Sequence, residues 1–189
     1  MAAKTPGSAD QIYQLKITLR DSKPPIWRRV LVPGSFSLYK LHYVIQIAMG
    51  WTDSHLHQFI IDGQYYGLPS PDDWEPMIDE RRHTLSKIAP EPKYKFVYEY
   101  DFGDSWEHQI LVEAIMPAEA GVKYPVCIKG KRACPPEDVG GVWGYEVFLA
   151  AIADPDHEEH EMYTEWIGDD FDPEAFDLEE INADLRTVK

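Results

Sequence analysis

The sequence has no apolar run long enough to cross a bilayer as a helix, which takes about 20 residues, so no membrane span is expected. Its first residues, Met1-Ala2-Ala3-Lys4-Thr5-Pro6-Gly7-Ser8, lack the apolar stretch of a secretion signal, and the expected location is the cytoplasm. Cysteine is scarce: Cys127 and Cys134 are too few for a disulfide-stapled secreted domain. There is no Gly-x-Ser-x-Gly elbow, phosphate loop, dinucleotide fingerprint or His-Glu-x-x-His, so the sequence signatures of the common hydrolase, nucleotide-binding and metalloprotease classes are missing. His157-Glu158-Glu159-His160 comes nearest, but its i, i+3 spacing does not place both rings on one metal, and it reads as a solvated face. Basic charge is also short. Against 33 Asp and Glu stand 18 Lys and Arg, a net charge of −15. The deficit is local: residues 1–153 carry 16 basic and 19 acidic side chains (net −3), whereas residues 154–189 carry 2 and 14 (net −12). That balance makes nucleic acid and anionic lipid unexpected partners, because binding to either rests on neutralising phosphates.

What is present suits one domain over residues 11–189, with a flexible segment 1–10 and an acidic helical segment 154–189 docked on the body. A hydrophobic content of 44%, with 13% aromatic residues, is enough for a core that needs no metal or disulfide to hold it together. Tyr13, Leu15, Ile17 and Leu19 alternate with polar residues as a half-buried strand, and Ile26 to Val32 returns after a Pro24-Pro25 turn. Ser37 is placed to cap a helix whose apolar stripe runs Leu38, Leu41, Ile45, Ala48 and which Gly50 ends. Leu56 to Ile61 and Gln64 to Tyr66 flank the hairpin signal Asp62-Gly63. A long connection over 68–93 is expected to hold a short helix at Thr84–Ala89. Tyr94 to Tyr100 and Trp106 to Val112 read as paired strands, Tyr124 to Ile128 as a short strand, and Gly144 to Ala153 as a helix. Asp177 and Glu180 have capping-box spacing before the stripe Leu178, Ile181, Leu185 and Val188.

The stretch that gathers chemistry is the turn Tyr100-Asp101-Phe102-Gly103-Asp104-Ser105-Trp106-Glu107-His108. Asp101-Phe102-Gly103 spells a kinase tripeptide, but no other kinase element accompanies it. It is read as a turn in which Gly103 takes positive φ and the aspartates bond nearby amides. Strand parity places His55 and His57 on one side of their strand and His108 on the apolar side of another. If those strand ends adjoin, His55, His57 and His108 with Asp101 or Asp104 make a nitrogen/oxygen site for a divalent transition metal such as Zn, Mn, Fe or Ni. Otherwise each is a core or rim histidine. If their strand is regular, Arg28 and Arg29 point to opposite faces, and they read either as a solvated pair at a sheet edge or with one of them placed to orient a ligand. Cys127 and Cys134, six residues apart, read as small buried hydrophobes, and Lys129, Lys131 and Arg132 as solvated cations. Glu137 and Asp138, before Gly140-Gly141, are expected to cap the helix that follows.

Taken together, Pro24-Pro25-Ile26-Trp27-Arg28-Arg29, Gly50-Trp51, His55-Leu56-His57-Gln58-Phe59, Tyr100 to His108, Cys134 to Gly141 with Gly144-Tyr145, and Trp166 through Phe171-Asp172-Pro173 resemble the plasmid pRiA4b ORF-3-like proteins, in order and over nearly the whole chain. The resemblance implies a single α+β domain and hands over no chemistry. With the elements above, the expected fold is α+β, a mainly antiparallel or mixed sheet of about six to seven strands packed by helices.

The leading functional expectation is a non-enzymatic binding module. Its groove beside the Asp101–His108 hairpin would be lined by Trp51, Tyr98, Tyr100, Trp106 and Trp143. Arg28, Arg29, Asp101, Asp104, Glu137 and Asp138 would supply its polar contacts, and a small ligand, peptide or protein its occupant. The alternative is a metal-dependent hydrolase with His55, His57 and His108 on the ion and Asp104 or Glu137 as general base. A DNA-associated accessory role for a mobile element comes third, on the labels that some of the resembling proteins carry.

Overall fold

The computed structural model describes residues 11–71, 76–168 and 171–188. Its strands are β1 (Gln11–Leu19), β2 (Trp27–Pro33), β3 (His57–Ile61), β4 (Gln64–Gly67), β5 (Ile78–Asp79), β6 (Lys95–Tyr100), β7 (Trp106–Pro117) and β8 (Val126–Lys131). They form one sheet in the order β5-β4-β3-β6-β7-β1-β2-β8, antiparallel except where β5 pairs with β4. Helices α1 (Leu38–Met49), α2 (Leu85–Ile88), α3 (Gly141–Ala153), α4 (His160–Ile167) and α5 (Leu178–Leu185) complete an α+β fold. The strand beyond the expected seven is β5, two residues long and therefore too short to show any alternation in sequence.

Alternation decides which residues meet. His57 and Phe59 of β3, Tyr98 and Tyr100 of β6, and Trp106 and His108 of β7 all point to the buried face, and the register sets Tyr98 opposite both Phe59 and His108. Helix α1 lies against this side of the sheet. Ser37 caps it by accepting from the Lys40 amide, and Gly50 closes it in the left-handed region at φ 104°. Its buried side includes the expected Leu38, Leu41, Ile45 and Ala48, but also two polar residues one turn apart, His42 and Gln46. Helix α4 falls in the acidic segment 154–189 expected to be helical, and only its first residue, His160, belongs to the stretch read as a solvated face. Its Tyr163 and Trp166 pack on Phe148 of α3, at ring separations of 5.4 and 6.0 Å.

At the far edge of the sheet, α5 docks on β8. The side-chain amide of Asn182 accepts from the Cys127 N–H (2.8 Å) and donates to the Cys127 carbonyl (2.9 Å), standing in for a neighbouring strand on an otherwise open edge. Arg28 is 2% exposed. Its guanidinium is spent on the carbonyls of Ala48, Trp27 and Lys131 and covered by the Phe176 ring. Arg29 makes a two-pronged pair with Glu113. The expectation that one of these arginines orients a ligand is therefore corrected: both are committed within the fold. Replacing Asn182 by Ala removes two hydrogen bonds from the β8 edge. Stability is expected to fall by about 1–2 kcal/mol, read as a lower denaturant midpoint at unchanged m-value.

Candidate functional site

The β6–β7 turn is built from its aspartates. Left-handed backbone falls on Asp101 (φ 56°) and Ser105 (φ 53°), and Gly103 is not the positive-φ residue that sequence suggested. An Asp in this region is tolerated because its short side chain bonds the local backbone. Oδ1 of Asp101 accepts from the amides of Gly103 (2.9 Å) and Asp104 (3.4 Å), while the Asp101 amide donates to the Leu56 carbonyl (2.8 Å). The turn is thereby tied to the residues that lead into β3.

A second loop is locked to it. Asp104 accepts from the Gly140 amide (3.0 Å), so the start of α3 is capped across space. This corrects the expectation that Glu137 or Asp138 caps it. A Cβ on Gly141 (φ +70°) would stand 2.6 Å from the Asp104 carbonyl oxygen, which is why glycine is needed there. Glu137 instead reaches back, accepting from the Thr52 amide and hydroxyl (2.9 and 3.1 Å) and from the Tyr100 hydroxyl (3.0 Å). The indole N–H of Trp51 donates to the Pro135 carbonyl (3.2 Å).

These locks gather acids around His55. Its Nδ1 lies 3.7 Å from Asp101, and its Nε2 lies 3.3 Å from Asp138 and 3.9 Å from Glu137. Nε2 is buried without a hydrogen-bond partner among the described residues. One donor atom from each of His55, Asp101 and Asp138 falls within 4.8 Å of the others.

A second set lies under α1. His42 and His57 stack face to face, ring centroids 3.5 Å apart and planes 10° from parallel. The Asp53 amide donates to Oε1 of Gln46 (2.9 Å), so Nε2 of Gln46 is the donor to the Tyr98 hydroxyl (2.9 Å). That hydroxyl meets Nδ1 of His42 (2.8 Å), and Nε2 of His42 meets Oδ1 of Asp53 (2.9 Å). With a carboxylate at Nε2, the neutral ring carries its proton there and Tyr98 donates to Nδ1. Burial, assisted by the charge of His57, pushes His42 down to about 3. Burial likewise moves the Asp53 carboxyl above its ordinary value. Nε2 of His57 lies 3.1 Å from both oxygens of Glu80, a fully buried carboxylate. With Nε2 turned to Glu80, Nδ1 is the His57 nitrogen left for another partner. One donor atom from each of His42, Asp53 and His57 falls within 4.8 Å of the others.

The second set, and His55 of the first, border one cavity of about 360 Å³. His42, Asp53 and His57 face it with His55, between Tyr39 and Tyr43 of α1 and the apolar Leu56, Leu68, Met77 and Phe102. The expected trio is thus divided: His57 joins His42, His55 joins Asp101 and Asp138, and His108 joins neither set. His108 is wholly enclosed, its Nδ1 3.3 Å from the Tyr98 carbonyl and its ring edge-on to Trp51, and burial pushes it down to about 4. The expected aromatic groove is corrected too. Trp51, Tyr98, Tyr100 and Trp106 are core residues, at most 6% exposed, and Trp143 alone of the five stands in solvent. Cys127 and Cys134 are free and enter neither set.

His42, Gln46, Asp53 and Glu80 escaped the sequence reading. The signal for the first two was present: 42 and 46 sit beside 38, 41 and 45 on the face already assigned to the core. Glu80 lies in the 68–93 connection, where no periodicity marks a buried side.

Residues 11–180 match the sequence model of a family described as Plasmid pRiA4b ORF-3-like protein. Uncharacterized protein y4hQ of Sinorhizobium fredii (strain NBRC 101917 / NGR234) is 43% identical over 173 residues, 90% of this chain and 89% of the relative. The crystal structure of the protein of unknown function MM3350 from Methanosarcina mazei Go1 superposes with a TM-score of 0.82 at 40% identity, covering 90% of this chain and 97% of that one.

The enclosed His108 makes stability sensitive to acid. Unfolded, it titrates near 6.5; folded, its value is about 4. Between those values the unfolded chain binds a proton that the folded chain refuses, so stability is complete above about pH 6.5 and falls on acidification, by up to about 1.4 kcal/mol per pH unit. Urea denaturation of the metal-free protein across this range is expected to show the slope, and His108→Phe to reduce it by about one proton.

Proposed function

We propose that this chain, which belongs to the plasmid pRiA4b ORF-3-like family, is a metal-dependent hydrolase whose ion is held by His42, Asp53 and His57 on the cavity floor. The observation that carries the reading is that one donor atom from each of His42, Asp53 and His57 lies within 4.8 Å of the others, beside one cavity. Two imidazoles and a carboxylate suit Zn, Mn, Fe or Ni, and three protein donors leave positions for water and substrate. The ion, when bound, supplies a water acidic enough to act as nucleophile near neutral pH.

The chain's own residues prepare the donors. Glu80 fixes the Nε2–H of His57 and so leaves Nδ1 to coordinate. For His42 to offer Nε2, its proton sits on Nδ1 and donates to the Tyr98 oxygen, which also accepts from Gln46. His55 stands on the cavity wall with Asp101 behind it, beside the space a substrate would fill. The expected bases are less suitable: Asp104 holds the start of α3, and Glu137 serves Thr52 and Tyr100. A binding module keeps the cavity but loses its aromatic lining to the core. A nucleic-acid role draws no support from a cavity whose described lining has no lysine or arginine.

Elemental analysis of protein purified without chelator is expected to find one transition-metal ion per chain, with a melting temperature that EDTA lowers. Asp53→Asn is expected to abolish retention, and Glu80→Gln to weaken affinity by about 10–100-fold. Failure of the native protein to take up Zn, Mn, Fe or Ni on dialysis would end this reading.

A further inference from the structure

We infer that the substrate is a neutral, apolar carbonyl compound, an ester or amide bearing an alkyl or aryl group, and not a phosphate ester or a carboxylate; this rests on the metal-dependent reading above. Two independent features of the cavity point there. Its mouth gathers large apolar side chains that are unusually open to solvent: Leu56 (72% exposed), Leu68 (46%) and Phe102 (45%), with Met77 beside them. Single exposed apolar residues are ordinary, but several around one concave opening mark a binding surface. A floor of metal donors under such walls fits a molecule with one polar, coordinating end and one hydrocarbon end.

The second feature is charge. None of the described lining residues is a lysine or arginine. Asp53 lies on the floor, Glu80 stands behind His57, and Asp101, Glu137 and Asp138 surround His55. A single divalent ion is opposed by this set, and an anionic substrate would find no further cation to receive its charge. A carbonyl asks for less, since its oxygen gains charge only as the reaction proceeds.

The chemistry is hydrolysis. Water adds its oxygen to the acyl carbon, and the bond from that carbon to the leaving oxygen or nitrogen breaks, its electron pair going to the leaving atom. The proton released by the water goes to that atom, giving a carboxylic acid and an alcohol or amine.

The test is calorimetric titration of the zinc-loaded full-length chain with acetohydroxamate, butyrohydroxamate and hexanohydroxamate, which place a coordinating head on tails of increasing length. Affinity is expected to rise by about three- to fourfold per methylene. Leu68→Asp, at an exposed position, is expected to flatten the series, and inorganic phosphate to show no measurable binding. p-Nitrophenyl butyrate is expected to be hydrolysed and p-nitrophenyl phosphate left intact. Zinc uptake with a flat series, or phosphate binding as tightly as hexanohydroxamate, would overturn the substrate class and leave the metal reading standing. No zinc uptake would overturn both.

Discussion

Two imidazoles stacked 3.5 Å apart beneath a helix impose the constraint on which the rest of this site depends. Both rings cannot be charged at that distance in a dry interior, and neither can be left without partners. Each is therefore held at its edges: His42 between Tyr98 and Asp53, His57 by Glu80. Gln46 closes the set by joining the Asp53 amide to the Tyr98 hydroxyl. A polar network this buried is stable only when each member is satisfied. Two nitrogens and the half-open Asp53 carboxylate then stand within 4.8 Å of one another beside the cavity, a donor set that suits a transition-metal ion.

The surrounding fold meets that requirement by locking loops to one another. The β6–β7 turn, the residues leading into β3 and the loop before α3 hold together through Asp101, Asp104 and Glu137. None of these three carboxylates is idle. Asp101 shapes its own turn, Asp104 caps α3 from a distance, and Glu137 anchors the chain that follows α1. Placing Asp53 and His55 at one cavity thus depends on segments far apart in sequence, which is how motifs near positions 50, 100 and 137 come to form one wall.

Much of this was legible in the sequence, and the failures have physical causes. Strand parity put His57, Tyr98, Trp106 and His108 on the buried face because a half-buried strand has a strict two-residue period. Parity does not say how far along the sheet two inward residues lie, and so it joined His108 to a group from which the Trp51 and Tyr98 rings separate it. The helix was read from its apolar stripe, which passes over a histidine and a glutamine on the same face. Aromatic residues were assigned to a groove because composition cannot tell a lining ring from a core ring. The left-handed φ was given to Gly103, whereas Asp101 and Ser105 adopt it with side-chain help.

The account's central claim is that a metal ion belongs between His42, Asp53 and His57. Anomalous diffraction at the zinc edge, from crystals of the full-length chain grown with equimolar zinc, tests it most directly. The account predicts a peak within coordinating distance of one nitrogen from each of the two rings and an oxygen of Asp53. A map with no peak at that position, the stacked rings undisturbed and any zinc bound elsewhere, would contradict it.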